Sequence, residues 1–158
     1  MKIDGVKILK RDSYKDYRGE LWTLWREGEF GLEFNHDKVS TSRKNVLRGI
    51  HGDYKSYKLI TCLFGEIYFV LADNRLNSPT HGEWDWTILD NKERKQVLVP
   101  PGVGNGFLVL SEDSVFHYKW AYKGDYPDVQ DQFTIKWNDK TFNINWPINN
   151  PILQLRDK

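Results

Sequence analysis

The four imidazoles of this chain, His36, His51, His81 and His117, are its natural proton carriers near neutral pH. No two of them form an H-x-H or H-E-x-x-H pair, and no close His/carboxylate cluster has metal-ligand spacing. No metal or other cofactor is therefore expected, although a metal site assembled from residues distant in the chain stays open. Cys62 is the single cysteine, which excludes an internal disulfide and a cysteine zinc site and points to a reducing compartment. The chain has no G-x-G-x-x-G after a strand, no P-loop and no G-x-S-x-G elbow. Pro101-Gly102-Val103-Gly104-Asn105-Gly106 is glycine-rich, but its leading prolines and its place between two strands make it a tight turn.

The segment densest in chemistry is Ser40-Thr41-Ser42-Arg43-Lys44-Asn45-Val46-Leu47-Arg48-Gly49-Ile50-His51-Gly52-Asp53. Strand alternation puts Val46, Arg48 and Ile50 on one face and Leu47, Gly49 and His51 on the other. Taken alone, this is a barrel strand with a surface arginine and a half-buried histidine. His36, His81 and His117 read as structural.

The elements that must position these residues are strands. Glu66-Ile67-Tyr68-Phe69-Val70-Leu71-Ala72 is rich in β-formers and is flanked by Gly65 and Asp73-Asn74. Leu21–Trp25, Trp84–Leu89, Gln96–Val99 and Val115–Trp120 read the same way. Turn chemistry at Arg18-Gly19, Asn77-Ser78-Pro79, Asp90-Asn91, Pro100-Pro101-Gly102 and Asn138-Asp139 separates them. No long window keeps an i, i+3, i+4 apolar pattern, so any helices are short. Strands at this spacing predict an all-β sandwich or barrel, and the absence of repeats or linkers predicts one domain over residues 1–158.

Composition narrows the function classes. The 158 residues hold 23 basic and 22 acidic side chains, a balance that argues against a nucleic-acid partner. Seven Trp, eight Tyr and eight Phe argue against disorder. No apolar run approaches the ~20 residues that span a bilayer, and Asp4 falls where a signal peptide would place apolar residues. A soluble cytoplasmic protein with no membrane partner is expected.

Several motifs then carry a family resemblance. Asp16-Tyr17-Arg18-Gly19 has the form D-x-R-G, and Ser40-x-Ser42-x-x-x-Val46-Leu47-Arg48-Gly49-Ile50-His51 the form S-x-S-x-x-G-V-L-R-G-L-H. Tyr57-Lys58-Leu59-Ile60, Gly65-Glu66-Ile67-Tyr68 and Asp73-x-Arg75-x-x-Ser78-Pro79-Thr80-x-Gly82-x-Trp84 follow in order. So do Val99-Pro100-Pro101-Gly102 through Gly106-Phe107-Leu108-Val109-Leu110-Ser111, Trp137-Asn138-Asp139, Trp146-Pro147 and Ile152–Asp157. The set resembles the dTDP-4-dehydrorhamnose 3,5-epimerases, whose fold is a metal-free cupin jelly roll and whose usual assembly is a homodimer.

The resemblance implies a nucleotide-diphosphate 4-keto-6-deoxy sugar as substrate. Carbons 3 and 5 flank its ketone, so their protons are acidic and inversion needs no redox cofactor. His51 matches the family base and Asp157 the carboxylate that orients it. Lys58 matches the lysine that stabilises the enolate oxygen, and Tyr118 the acid on the opposite face. Arg18 and Arg48 match the diphosphate arginines, Asp73 an acidic residue lining the pocket, and Ser40 a further substrate contact. Tyr126 matches a second tyrosine beside the substrate, across a two-residue insertion in Trp120–Asp128. Without the resemblance, Asp157 next to the C-terminus would read as fraying in solvent.

Three departures bear on substrate choice. A family histidine is Asn105 here, which hydrogen-bonds but carries no charge. The stretch from His51 to Lys58 is shorter, which reshapes a pocket wall. The glutamate that meets thymine falls at Thr23, which leaves guanine or another base open. The expected function is inversion at C3 and C5 in surface-glycan sugar biosynthesis, on a hexose or a heptose. C3-only epimerisation and a silent nucleotide-sugar-binding cupin are the alternatives.

Overall fold

The computed structural model describes residues 1–158 and is all-β, with three single-turn 3-10 segments and no longer helix. No helix is long and apolar enough to cross a membrane. One five-stranded sheet runs in the order β1 (Lys7–Lys10), β9 (Lys95–Val99), β6 (Tyr57–Phe64), β11 (Asp113–Ala121), β4 (His36–Arg43). The second runs β12 (Phe133–Thr134), β5 (Leu47–Gly52), β10 (Val103–Val109), β7 (Glu66–Asp73), β8 (Trp84–Asp90). Neighbours in both are antiparallel, and β2 (Ser13–Asp16) pairs with β3 (Gly19–Trp22) in a separate hairpin.

Period-two apolar residues close the sandwich. Phe69 and Phe107 from the second sheet meet Phe116 from the first, with Phe107 stacked on Phe116 at 4.3 Å. The opposite set, Leu47, Ile50, Tyr68, Val70 and Leu108, lies on the outer face of the second sheet. Ile135, Phe142 and Trp146 of the tail cover that face. Burying the side chains on both faces removes a large apolar area from water, the main favourable contribution to folding. It also turns the tail back along the sheet: the Leu47 amide donates to the Ile152 carbonyl at 3.0 Å, and the Ile152 amide to the Asn45 carbonyl at 2.8 Å.

Two local expectations need correction. The strand expected over Leu21–Trp25 ends at Trp22, because Trp25 turns away to pack edge-on against Phe34 at 5.8 Å. The turn expected over Pro101–Gly106 is confined to Pro101 and Gly102, and β10 begins at Val103. Gly104 and Gly106 are strand residues pressed against β5. A Cβ on Gly104 would lie 2.8 Å from the Ile50 side chain, and one on Gly106 3.0 Å from the Arg48 carbonyl.

Candidate active site

Arg48 and His51 line the same cavity of about 170 Å³ between the sheets. Strict alternation puts them on opposite faces, and a β-bulge overturns that expectation. Asn105 pairs with His51 and Phe107 with Arg48, so Gly49 and Ile50 together oppose only Gly106. The extra residue resets the alternation and turns both side chains inward. Gly49 is required there: its φ is +101°, and a Cβ would lie 2.7 Å from the Asn105 carbonyl oxygen.

The returning tail delivers the partner of His51. Asp157 is fully buried, with Oδ1 at 2.6 Å from His51 Nε2 and Oδ2 accepting the Gly49 amide at 3.3 Å. Arg156 donates to Thr134 Oγ1 at 2.9 Å and pins the segment. Packing thus fixes Asp157 where its chain position alone would leave it frayed in solvent. A carboxylate at Nε2 keeps a proton on that nitrogen, so Nδ1 presents its lone pair.

Lys58 enters from β6 and is buried at 5% exposure. The short loop between His51 and Lys58 is closed by Asp53, whose Oδ1 accepts the Lys55 and Ser56 amides at 2.9 and 2.6 Å. Oδ2 lies 3.5 Å from Lys58 Nζ. Burial pulls the Lys58 ammonium below its ordinary pKa, and the Asp53 charge opposes that shift. Lys58 Nζ also stands 4.6 Å from the Trp120 ring centroid.

The facing sheet supplies Tyr118 and Ser40. Burial raises the Tyr118 pKa, with Lys38 and Arg48 pulling the other way. Arg48 is held at one edge by Ser42 Oγ, 2.8 Å away. Asn105 reaches the cavity beside His51, and its buried side-chain oxygen has no protein partner. Gln132 and Gln154 complete the rim. Neither glutamine stands out in the sequence, and the Gln154 amide also reaches Asp157 at 3.4 Å.

Four of the expected site residues lie elsewhere. Asp73 does not line the cavity: it is fully buried and holds Arg75 at 2.7 Å, Ser78 at 2.6 Å and Thr80 at 2.7 Å. Burial alone would raise its pKa, but those hydrogen bonds hold it far below the carboxylate range. Arg18 sits on the exposed β2–β3 hairpin, paired with Asp16 at 2.5 Å. Thr23 is exposed just beyond β3. Tyr126 does not line the cavity; it accepts a hydrogen bond from Lys38 and stacks on His36 at 4.5 Å. No group of three or more His, Cys, Asp or Glu side chains gathers as metal ligands.

The sandwich and its cleft are those of a cupin-like isomerase, an epimerase by its relatives. A model of the dTDP-4-dehydrorhamnose 3,5-epimerase family matches residues 1–158. The Shigella flexneri dTDP-4-dehydrorhamnose 3,5-epimerase is 40% identical over 99% of this chain and 90% of its own length. A Legionella pneumophila dTDP-6-deoxy-D-glucose-3,5-epimerase in complex with dTDP-4-keto-L-rhamnose superposes with a TM-score of 0.91 at 33% identity, covering 99% of this chain and 87% of that one. A Bacillus anthracis dTDP-4-dehydrorhamnose 3,5-epimerase with TDP and PPi bound gives a TM-score of 0.92 at 30% identity, over 99% and 93%. The chain belongs to the dTDP-4-dehydrorhamnose 3,5-epimerase family.

Proposed function

We propose that this protein inverts C3 and C5 of a nucleotide-diphosphate 4-keto-6-deoxy sugar by proton transfer through an enolate. One observation carries the reading: His51 and Tyr118 project from opposite sheets into one cavity, with Lys58 and Asn105 on its wall. His51 Nδ1 takes the proton from the carbon beside the ketone, and the C–H electron pair moves into the enolate with its charge on the C4 oxygen. The Lys58 ammonium and the Asn105 amide stabilise that oxygen. Tyr118 then gives its hydroxyl proton to the opposite face of the same carbon. Solvent takes the proton from the imidazolium and returns one to the tyrosinate. Asp157 touches no substrate; it positions the ring of His51. C3 and C5 both flank the carbonyl, so a shift or flip of the pyranose ring between steps, with the same ring face kept toward His51, offers the second carbon to the same pair.

Arg48, Ser40 and the rim glutamines take the sugar and diphosphate in this reading. Arg18 joins them only if two copies pair. The hairpin that carries it exposes Tyr14, Tyr17 and Leu21 at 77%, 97% and 73%, an apolar surface suited to a second copy. The homodimer is part of the reading, with Arg18 and Thr23 serving the partner's cavity. Mixing two inactive variants, Arg18→Ala and His51→Asn, would then restore about a quarter of wild-type activity, because half the dimers are mixed and each holds one intact site. No recovery would place Arg18 outside the partner's site. Residues 1–158 form one domain in this reading. A nucleotide-activated sugar and the lone buried Cys62 both fit the cytoplasm.

The test is incubation with dTDP- and GDP-linked 4-keto-6-deoxy sugars in heavy water. Two deuterons per sugar, at C3 and C5, are expected. One deuteron confined to C3 would restrict the enzyme to that carbon, and no exchange would refute the reading.

A further inference from the structure

Strand β4 is polar apart from Val39, yet its alternate residues turn toward the sandwich interior: His36, Lys38 and Ser40 are half-buried and Ser42 is buried. Ser40 lines the cavity, and Lys38 is its inward neighbour. Lys38 is paired in register with Tyr118 across the β4–β11 ladder, a placement that sets side chains on the same face about 5 Å apart at Cβ. Its ammonium donates to the Tyr126 hydroxyl, 4.4 Å from that ring's centroid, and stands 5.6 Å from the Trp120 ring. A half-buried cation is here spent on a phenol beside a second phenol. Two lysines thus bracket Trp120. Lys58 stands on the side of Asp53, Lys38 on the side of the tyrosines.

We propose that Lys38 is a positioning residue for reprotonation: it fixes Tyr126 and supplies the positive charge that lets Tyr118 part with its proton. The inference rests on the roles given above to His51 and Tyr118. Lys38 holds Tyr126 by a hydrogen bond and is Tyr118's partner across the ladder, so charge left on Tyr118 after proton delivery meets a cation that is already in place. Other groups also face this corner: His36 from β4, Arg48 and His51 from β5, Lys58 from β6, and Tyr126 and Asp128 beyond β11. Among them Lys38 opposes the burial of Tyr118 most strongly, ahead of Arg48, while Tyr126 adds to the upward shift. Losing Lys38 makes Tyr118 a weaker acid and leaves the base face untouched.

Abstraction and inversion can be read separately in heavy water. His51 alone exchanges the proton by taking it and returning a deuteron to the same face, whereas inversion needs Tyr118. In Lys38→Met, inversion is expected to fall about tenfold or more, a part of the roughly 10²–10⁴-fold that a positioned general acid contributes. Its exchange should stay within about twofold of wild type, which also reports a folded cavity, and its alkaline limb of inversion should move to higher pH. Lys38→Gln keeps a hydrogen-bond donor for Tyr126 without the charge and should behave like Lys38→Met, whereas Lys38→Arg should recover part of the loss. Adding Lys38→Met to Tyr118→Phe should change inversion no further. Equal losses of exchange and inversion, or wild-type inversion in the Met or Gln variant, would overturn the role of Lys38. Absence of exchange in the wild-type protein would overturn the proposed function itself.

Discussion

Two histidines in this fold make the same bond to an aspartate and sit in different surroundings. His51 Nε2 meets Asp157 Oδ1 at 2.6 Å, and His117 Nε2 meets Asp37 Oδ1 at 2.8 Å. Asp157 is fully buried, serves no cation besides the histidine, and holds a ring that faces a cavity and an opposing phenol. The Asp37 side chain is 53% exposed and shares its charge with Lys119 at 2.6 Å. His117 points to the other side of β11 from Tyr118, away from the cavity that Tyr118 lines, and its Nδ1 is buried without a partner. A His–carboxylate pair is therefore not a site by itself. In the proposed reaction, reachable substrate space and an acid on the far side make it one.

That contrast can be broken most directly at the rings. His51→Asn is expected to lower turnover about 10³-fold, the range for loss of a general base, with the fold intact. His117→Asn should leave turnover within about twofold. Steady-state rates of both variants decide between them; a comparable loss in each would remove the distinction. At the carboxylates the expected effect is smaller. Asp157→Asn should cost about 10²-fold through a misoriented ring, and Asp37→Asn close to nothing in rate.

The smallest effect separates the pairs by pH. Burial raises the Asp37 pKa, but Lys119 and His117 more than offset it and leave it below the ordinary carboxylate value. A depressed folded pKa gives stability that is present above the unfolded value and lost as pH falls through the folded one. Replacing Asp37 by Asn should remove that acid-sensitive part, flattening the fall of Tm below about pH 4 by about 1–2 °C after solvent screening. Thermal melts of the two proteins between pH 5 and pH 3 would show it; parallel curves would mean that Asp37 stabilises nothing by its charge.

The outer His–Asp pair and the polar strand β4 show where pattern reading ends. Strands β7, β8, β9 and β11 stand out in the sequence because their apolar residues alternate and pack into the two clusters. Strand β4 does not, because its inward face meets a polar cavity, so Lys38 looks like a solvated position and Ser40 stands out only through the family motif. Nothing in the local sequence singles out Lys38, because its pairing with Tyr118 exists only in the β4–β11 ladder. Asp73 misleads in the opposite direction. Its motif D-x-R-x-x-S-P-T names the partners that bury it, Arg75, Ser78 and Thr80, and makes it a turn clamp.

The sequence by itself determined an all-β chain, the family, and the identities of His51, Lys58, Tyr118 and Asn105, because these are properties of residue type, period and order. Tertiary structure decided which of them meet. The bulge at Gly49 and Ile50 brings Arg48 to the face of His51, and the tail returns Asp157 to a histidine 106 residues away. It also leaves Arg18 on an outlying hairpin, away from its own chain's cavity. Each outcome depends on a contact between distant strands. Local alternation carries no information about such a contact: it is set by burial of the tail's Phe142 and Trp146 against the second sheet and by the space that glycine leaves where two backbones touch.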